Sequence, residues 1–351
     1  GEGGLPSADR VRARAPHLWE GTMTSKERLL RCIRGEGIDR LPCSPRLWKF
    51  VMHNYPEYTT DTMLQSAEDY GWDLHHGTSI GVRTYFGPGM PSAESLPDGV
   101  TFQSDVETGD DYDIIRRRFT TPAGELTDAW HRPPPNRGYG ISPAPTPTES
   151  LVQSPKDLDA LKYLRGDVMP DAIANFVESY EKVGDRGYLY PYIRSPFNDL
   201  YRVIRMDEAL VLPYDDPVLL KQLLAQLQLD CLDDIDAHVK AGADSVFISG
   251  FHNSLSVGWS PSMFREIFLP LIKEQADLVH NLGALYHYYD DGRVMGILPI
   301  MLEAGVDVFE TCTPYPAGDF DLKAARNIVG DRMTLMGYTD IENVLHRGTA
   351  E

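Results

Sequence analysis

The chain is short of cysteine and of positive charge, and it has no long apolar run. Its four cysteines, Cys32, Cys43, Cys231 and Cys312, are scattered and make no CxxC pair, so reduced thiols in a cytoplasmic protein are expected. No stretch approaches the roughly 18 apolar residues of a membrane span. The opening GEGGLPSADRVRARAPHLWEG lacks the apolar centre of a signal peptide and reads as a polar tail over residues 1–22. Lys and Arg number 33 against 52 Asp and Glu, a net charge of −19. Nucleic acid and anionic membranes both demand a basic surface, so neither is expected as a partner. No GxGxxG follows the first expected strand, which counts against a dinucleotide-binding open sheet.

What the chain does have is alternation. Thr24 and Glu27 stand at capping-box spacing, predicting a helix that runs to about Arg34 and stops at Gly35 and Gly37. A short strand is expected at Arg40–Ser44, a helix after Asp61, and a second strand around Asp73–His76. Residues 83–135 hold β-rich segments broken by Gly, Pro and Asp, then the start of a Pro-rich connection. They read as a β-meander inserted after the second strand.

From Pro155 onward strands and helices alternate strictly. Strands are expected at Gly187–Ile193, Asp244–Ser249, Ala284–Tyr288, Asp307–Glu310 and Arg332–Met336. The helix Pro217–Lys240 carries the stripe Leu220, Leu224, Leu227, Cys231 and Ile235. Such alternation with short loops means parallel strands joined by right-handed crossovers. Seven strand–helix units can be counted, so the expected fold class is α/β: a (β/α)8 TIM-type barrel over residues 23–351, its C-terminal strand–helix unit missing. A barrel open at one gap exposes strand edges, and dimerisation over that gap is expected.

In a barrel the C-terminal strand ends build the site. Those ends carry Arg46, then Asp73, His75 and His76, then Arg194 and Asn198, then His252 and Asn253, and lastly Glu310, Cys312 and Tyr338. The most telling segment is GALYHYYDDG, where His287, Tyr289 and Asp291 recur at every second position. Residues two apart on a strand share a face, so an imidazole, a phenol and a carboxylate project together. His75 and His76 are adjacent, so at most one lines the barrel mouth. His252 reads equally as a ligand and as a substrate contact. Glu310 and Cys312 share a face, with Cys312 a ligand or simply a small buried residue.

The pieces MTSKERLLRCIRGEGIDRLPC, PYIRSPFNDLYRVIRMDEALVLPYDDPVLLKQLL, SPSMFREIFLP and VLHRGTAE resemble the uroporphyrinogen decarboxylase superfamily. The resemblance implies a (β/α)8 barrel. True decarboxylases of that group carry an RQAGRYLPEY-type motif whose arginines hold substrate carboxylates. Here the stretch is SPRLWKFVMHNYPEY, with only Arg46 and Lys49 as cations. The other branch, corrinoid-dependent methyltransferases, is the closer likeness. Many of its members bind zinc through a His-x-Cys motif on the strand of His287 and a later Cys. No Cys follows His287; with the next Gly as anchor, Tyr289 and Asp291 take the His and Cys places. The aryl ether O-demethylase pattern of Glu, Glu and His fits better, since Glu266 precedes His287 by 21 positions, although Phe251 stands where the earlier Glu would fall.

The resemblance therefore implies a methyltransferase that activates a methoxylated, aryl ether substrate. A divalent metal such as zinc would serve as Lewis acid, and the methyl group would pass to a corrinoid protein. Its expected metal ligands are Glu266, His287, His252 and Cys312. Acid–base work falls to Asp291, Tyr289 and Glu310, and substrate contacts to Arg46, Asp73, His76, Arg194, Asn198, Asn253 and Tyr338. Two alternatives share the barrel: a metal-free decarboxylase of a carboxylate-rich substrate, marked by a basic pocket of Arg46, Arg194 and Arg83, and a non-catalytic binding protein.

Overall fold

The computed structural model describes residues 23–46, 48–78, 81–92, 95–133 and 145–349. The expected tail over 1–22 and most of the Pro-rich connection lie outside the described residues, as do the side chains of Lys49, Arg83 and Phe251. The strands are β1 (Leu74–Thr78), β2 (Val82–Thr84), β3 (Thr101–Glu107), β4 (Asp113–Thr121), β5 (Gly124–Arg132), β6 (Thr146–Glu149), β7 (Arg165–Val168), β8 (Gly187–Ile193), β9 (Ser245–Ser249), β10 (Leu285–Tyr289), β11 (Val308–Thr311) and β12 (Thr334–Gly337).

Six of them form one parallel sheet in the order β1, β8, β9, β10, β11, β12. Flat, β1 and β11 would stand four strand spacings apart, about 19 Å. Yet His75 Nε2 of β1 lies 3.4 Å from Glu310 Oε2 of β11. The sheet is therefore curled into a half-barrel, an incomplete version of the expected TIM-type fold. Strands β3 to β6 make a separate four-stranded antiparallel sheet in chain order, and β2 pairs antiparallel with β7.

The seven expected units reduce to six strands because Arg40–Ser44 is not a strand. Side chains rather than a ladder hold that segment. Arg40 and the Cys43 N–H both donate to Asp73 Oδ2, at 2.7 and 2.9 Å, and Arg28 donates to Asp73 Oδ1 at 2.5 Å. The antiparallel insertion thus follows the first strand of the barrel sheet, not the second.

Alternation sorts the sheet into two faces. On the outer face Val246, Ile248, Tyr286, Tyr288 and Phe309 are buried in the main core with the surrounding helices. Pro217–Lys240 is a single helix as expected, begun by the Asp216 side chain accepting from Leu219 N–H. On the inner face Tyr188, Tyr190, Phe247 and Val308 pack with Leu29, Leu30 and Ile33 of the helix Ser25–Ile33. That helix starts where Thr24 accepts from the Glu27 N–H at 3.1 Å. It closes the N-terminal end of the half-barrel and leaves the C-terminal strand ends for polar groups. Among the described residues no helix is long and apolar enough to cross a membrane, and none of the four cysteines pairs with another.

Candidate active site

Four strand residues, His75, Tyr190, His287 and Glu310, meet inside the half-barrel. His287 Nε2 stands 2.7 Å from Glu310 Oε2, and His75 Nε2 approaches the same oxygen at 3.4 Å. The Tyr190 hydroxyl lies 3.1 Å from His75 Nε2. Phe247 packs edge-on against His287, with ring centroids 5.0 Å apart. The His287 ring is turned so that its short approach to Glu310 is not an in-line hydrogen bond, and its Nδ1, like that of His75, has no partner among the described residues. Arg46, on the loop before helix Trp48–Asn54, reaches in from the rim. Its guanidinium lies 3.3 Å from Glu310 Oε1 and packs over the rings of Phe247 and Tyr289, at 5.1 and 4.7 Å.

Burial alone would raise the pKa of the Glu310 carboxyl, but the facing imidazoles of His75 and His287 outweigh it and hold the group well below the usual carboxylate range. For His287 burial wins over the pull of Glu310 and keeps the ring neutral. The cluster is an ionised carboxylate balanced by Arg46, with a neutral imidazole beside it.

Beside this cluster lies a cavity of about 190 Å³ lined by Arg46, Trp48, Tyr58, His75, His76 and Tyr190, with Met63, Gly77 and Tyr192 completing the wall. His76 points away from Glu310 and meets Tyr58 edge-on at 5.8 Å. Burial, then the neighbouring His75, pushes it down to about 4, so it is a neutral imidazole. Glycine is required at Gly77, because a Cβ there would come 2.9 Å from Tyr190 Cε2.

The other expected site residues are dispersed. Tyr289 does lie on the inner face, but it donates to Asp291 Oδ2 at 2.5 Å, and burial, then Asp291, raises the phenol well above its ordinary value. Asp73 is a correction. The strand begins at Leu74, so Asp73 sits at its N-terminal end, bound to Arg28 and Arg40. Glu266 lies on the outside of a π-helical turn, exposed and 3.0 Å from Lys221. His252 Nδ1 is 2.9 Å from Asn198 Oδ1, and burial, then Arg202, pushes the ring down to about 4.

Arg194 stands 3.6 Å from Asp199. Asn253 accepts from Tyr288, which puts it behind the sheet rather than inside the half-barrel. Tyr338 is half exposed on the rim, at a φ of 87°. Cys312 does not share the face of Glu310, because a φ of 99° at Thr311 and of 46° at Cys312 breaks the alternation. Its thiol turns back to the Phe309 carbonyl at 3.5 Å, and burial, then Glu310, pushes it up to about 12.

Two imidazoles and a carboxylate are a donor set that zinc accepts. As arranged they do not fit a resident metal. Arg46 already sits on the carboxylate, and among the described residues no three His, Cys, Asp or Glu side chains converge as a metal site. Glu266, His252 and Cys312 each have other surroundings, so the four expected ligands do not form one coordination sphere. Trp48, Tyr58, Met63, Tyr190 and Tyr192 are wall residues that sequence reasoning passed over, and for the two strand tyrosines a signal was there. The alternation in GYLYPYI, with Tyr188, Tyr190 and Tyr192 on one face, is the signal that finds them.

A family model described as uroporphyrinogen decarboxylase matches residues 139–351, more than half of the chain. The chain belongs to the uroporphyrinogen decarboxylase family. Among solved structures this family member is similar to a methyltransferase from Methanosarcina mazei, with a TM-score of 0.58 and 17% identity over 93% of this chain and 86% of that one. At that identity the likeness shows a shared fold. It is also similar to a putative vitamin-B12-independent methionine synthase from Listeria monocytogenes, 19% identical over 49% of this chain and 64% of that one, with a TM-score of 0.33 that is too low to argue from. No curated protein matches the chain in sequence.

Proposed function

We propose that this family member is a methyltransferase that takes the methyl group from a small methoxylated aromatic compound and delivers it to a corrinoid held by a partner protein. One observation carries the reading: a cavity of about 190 Å³ with a wall of Trp48, Tyr58, Tyr190 and Tyr192. A space of about 150 Å³ takes one benzene-sized ring. This cavity therefore suits a single substituted ring. Aromatic walls favour such a ring by stacking and edge contacts. A decarboxylase of a carboxylate-rich substrate would need several cations at the cavity, whereas Arg46 is the one Arg or Lys among the described residues that line it, and Arg194 faces Asp199 elsewhere.

The corrinoid, when docked, supplies the nucleophile that accepts the methyl group. The chain's own residues do the rest. The tyrosine and tryptophan walls orient the ring and keep water from it. His76 presents a neutral imidazole to a polar substituent. Glu310, fixed between Arg46, His75 and His287, anchors the polar end of the site, and the Tyr190 hydroxyl, within 3.1 Å of His75, is placed to hydrogen-bond the ether oxygen.

The test is transfer of isotopically labelled methyl from a set of methoxyphenols and methoxybenzoates to free reduced cobalamin. Label in the cobalamin fraction, lost in Tyr190→Phe, supports the reading. No transfer from any of them, with carbon dioxide released from a porphyrinogen instead, sinks it.

A further inference from the structure

We infer that Arg46, not a resident metal, is the cation this site sets against the oxygen that gives up its methyl group. The inference rests on the proposed methyl transfer for the identity of that oxygen. When the methyl carbon leaves to a nucleophile, both electrons of the C–O bond stay on oxygen, which becomes an alkoxide or phenoxide. A positive charge must meet it, and a bound metal ion is the usual source.

In this chain the place is taken. The Arg46 guanidinium reaches the buried carboxylate of Glu310 and lies over the rings of Phe247 and Tyr289, which hold it by charge and by cation–π attraction. The Glu310 contact engages one nitrogen of the guanidinium, Nη1, and the side chain, 35% exposed, borders the cavity. A guanidinium carries five N–H groups in a rigid fork, so it can pair with Glu310 and still offer donors to a second oxyanion.

Three further groups that could have joined a metal are otherwise engaged. Tyr289 gives its hydroxyl to Asp291, the Cys312 thiol turns to a backbone carbonyl, and Glu266 faces solvent beside Lys221. The two buried imidazoles stand at 2.7 and 3.4 Å from an oxygen of the carboxylate that Arg46 already faces, so a metal on that carboxylate would have to displace the guanidinium.

The experiment uses para-nitrophenol, whose neutral and ionised forms differ in colour, as a stand-in for the departing phenoxide. It needs no methyl donor and no corrinoid, so failed methyl transfer leaves its answer intact. Absorbance titration of the full chain should show the ionised form bound about tenfold more tightly than the neutral one, a shift of roughly one pKa unit in the bound probe. That preference should survive exhaustive chelation, persist in Arg46→Lys and vanish in Arg46→Met. If Arg46→Met does not fold, the chelated wild type and Arg46→Lys still decide. Loss of the preference on chelation with recovery on adding zinc overturns the inference. So does an Arg46→Met protein that folds and keeps the preference, and so does a wild type with no preference.

Discussion

Glu310 Oε2 stands 2.7 Å from His287 Nε2, on neighbouring parallel strands, with both side chains almost wholly buried. That pairing puts an ionised carboxylate inside the half-barrel, where it is stable only because Arg46 and the two imidazoles surround it.

Glu310→Gln should therefore destabilise the fold. Removing one partner of a fully buried pair costs about 3–5 kcal/mol. Here Arg46 keeps 35% of its side chain exposed and can rehydrate, so a loss of roughly 1–3 kcal/mol is expected. Denaturant unfolding of the two proteins side by side measures it, and a change within about 0.5 kcal/mol would mean the carboxylate is not held as described.

Acid should weaken the protein through its buried histidines. Burial lowers His76 and His252 from an ordinary 6.5 to about 4. Below the ordinary value the unfolded chain takes up protons that the folded chain refuses, so their contribution to stability falls with pH from about 6.5 down to about 4. The His287 shift has the same direction and adds to the fall. Glu310 contributes at lower pH, because stability from a depressed carboxyl is present above its unfolded value and is lost as pH falls through the folded one. Burial raises Asp230 to about 7 and raises Asp290 as well, and these carboxyls act with the opposite sign over the same range. The histidine contribution is therefore read by difference: acidification toward about pH 4 should cost His76→Gln less stability than the unaltered protein, and equal losses in the two contradict a buried neutral His76.

Gly77→Ala should push Tyr190 off His75. The added Cβ would meet Tyr190 Cε2 at 2.9 Å, and that ring is buried against Phe247, with centroids 4.9 Å apart. A loss of about 1–3 kcal/mol, typical of overpacking, is expected together with weaker ligand binding in the cavity. Unchanged binding of a methoxyphenol by calorimetry would place the ligand elsewhere.

Much of the inner face was legible because side-chain alternation is local. The pattern of GALYHYYDDG put His287 and Tyr289 inside, and both are there. Asp73 went astray by one strand boundary: starting at Leu74 instead of Asp73 moves it to the wrong end of the half-barrel. Cys312 went astray because a left-handed backbone at Thr311 ends the alternation just before it. Glu266 was expected from spacing in a resembling family, and spacing along a helix does not say which side faces the sheet. The meeting of Arg46, His75 and Glu310 depends on how far the sheet curls, which no local pattern encodes.

Glu266→Ala should leave the site untouched. Its pair with Lys221 is exposed, so stability should move by no more than about 0.5 kcal/mol, and methyl transfer should match the unaltered protein. A large loss of activity in a folded variant would return Glu266 to the chemistry.

The most direct test of the central claim is a crystal structure of the protein with a methoxyphenol bound. The ring should lie against Tyr58 and Tyr190 in the cavity beside Glu310, with its ether oxygen toward Arg46. A ring bound anywhere else, with this cavity left empty at saturating ligand, would contradict the account.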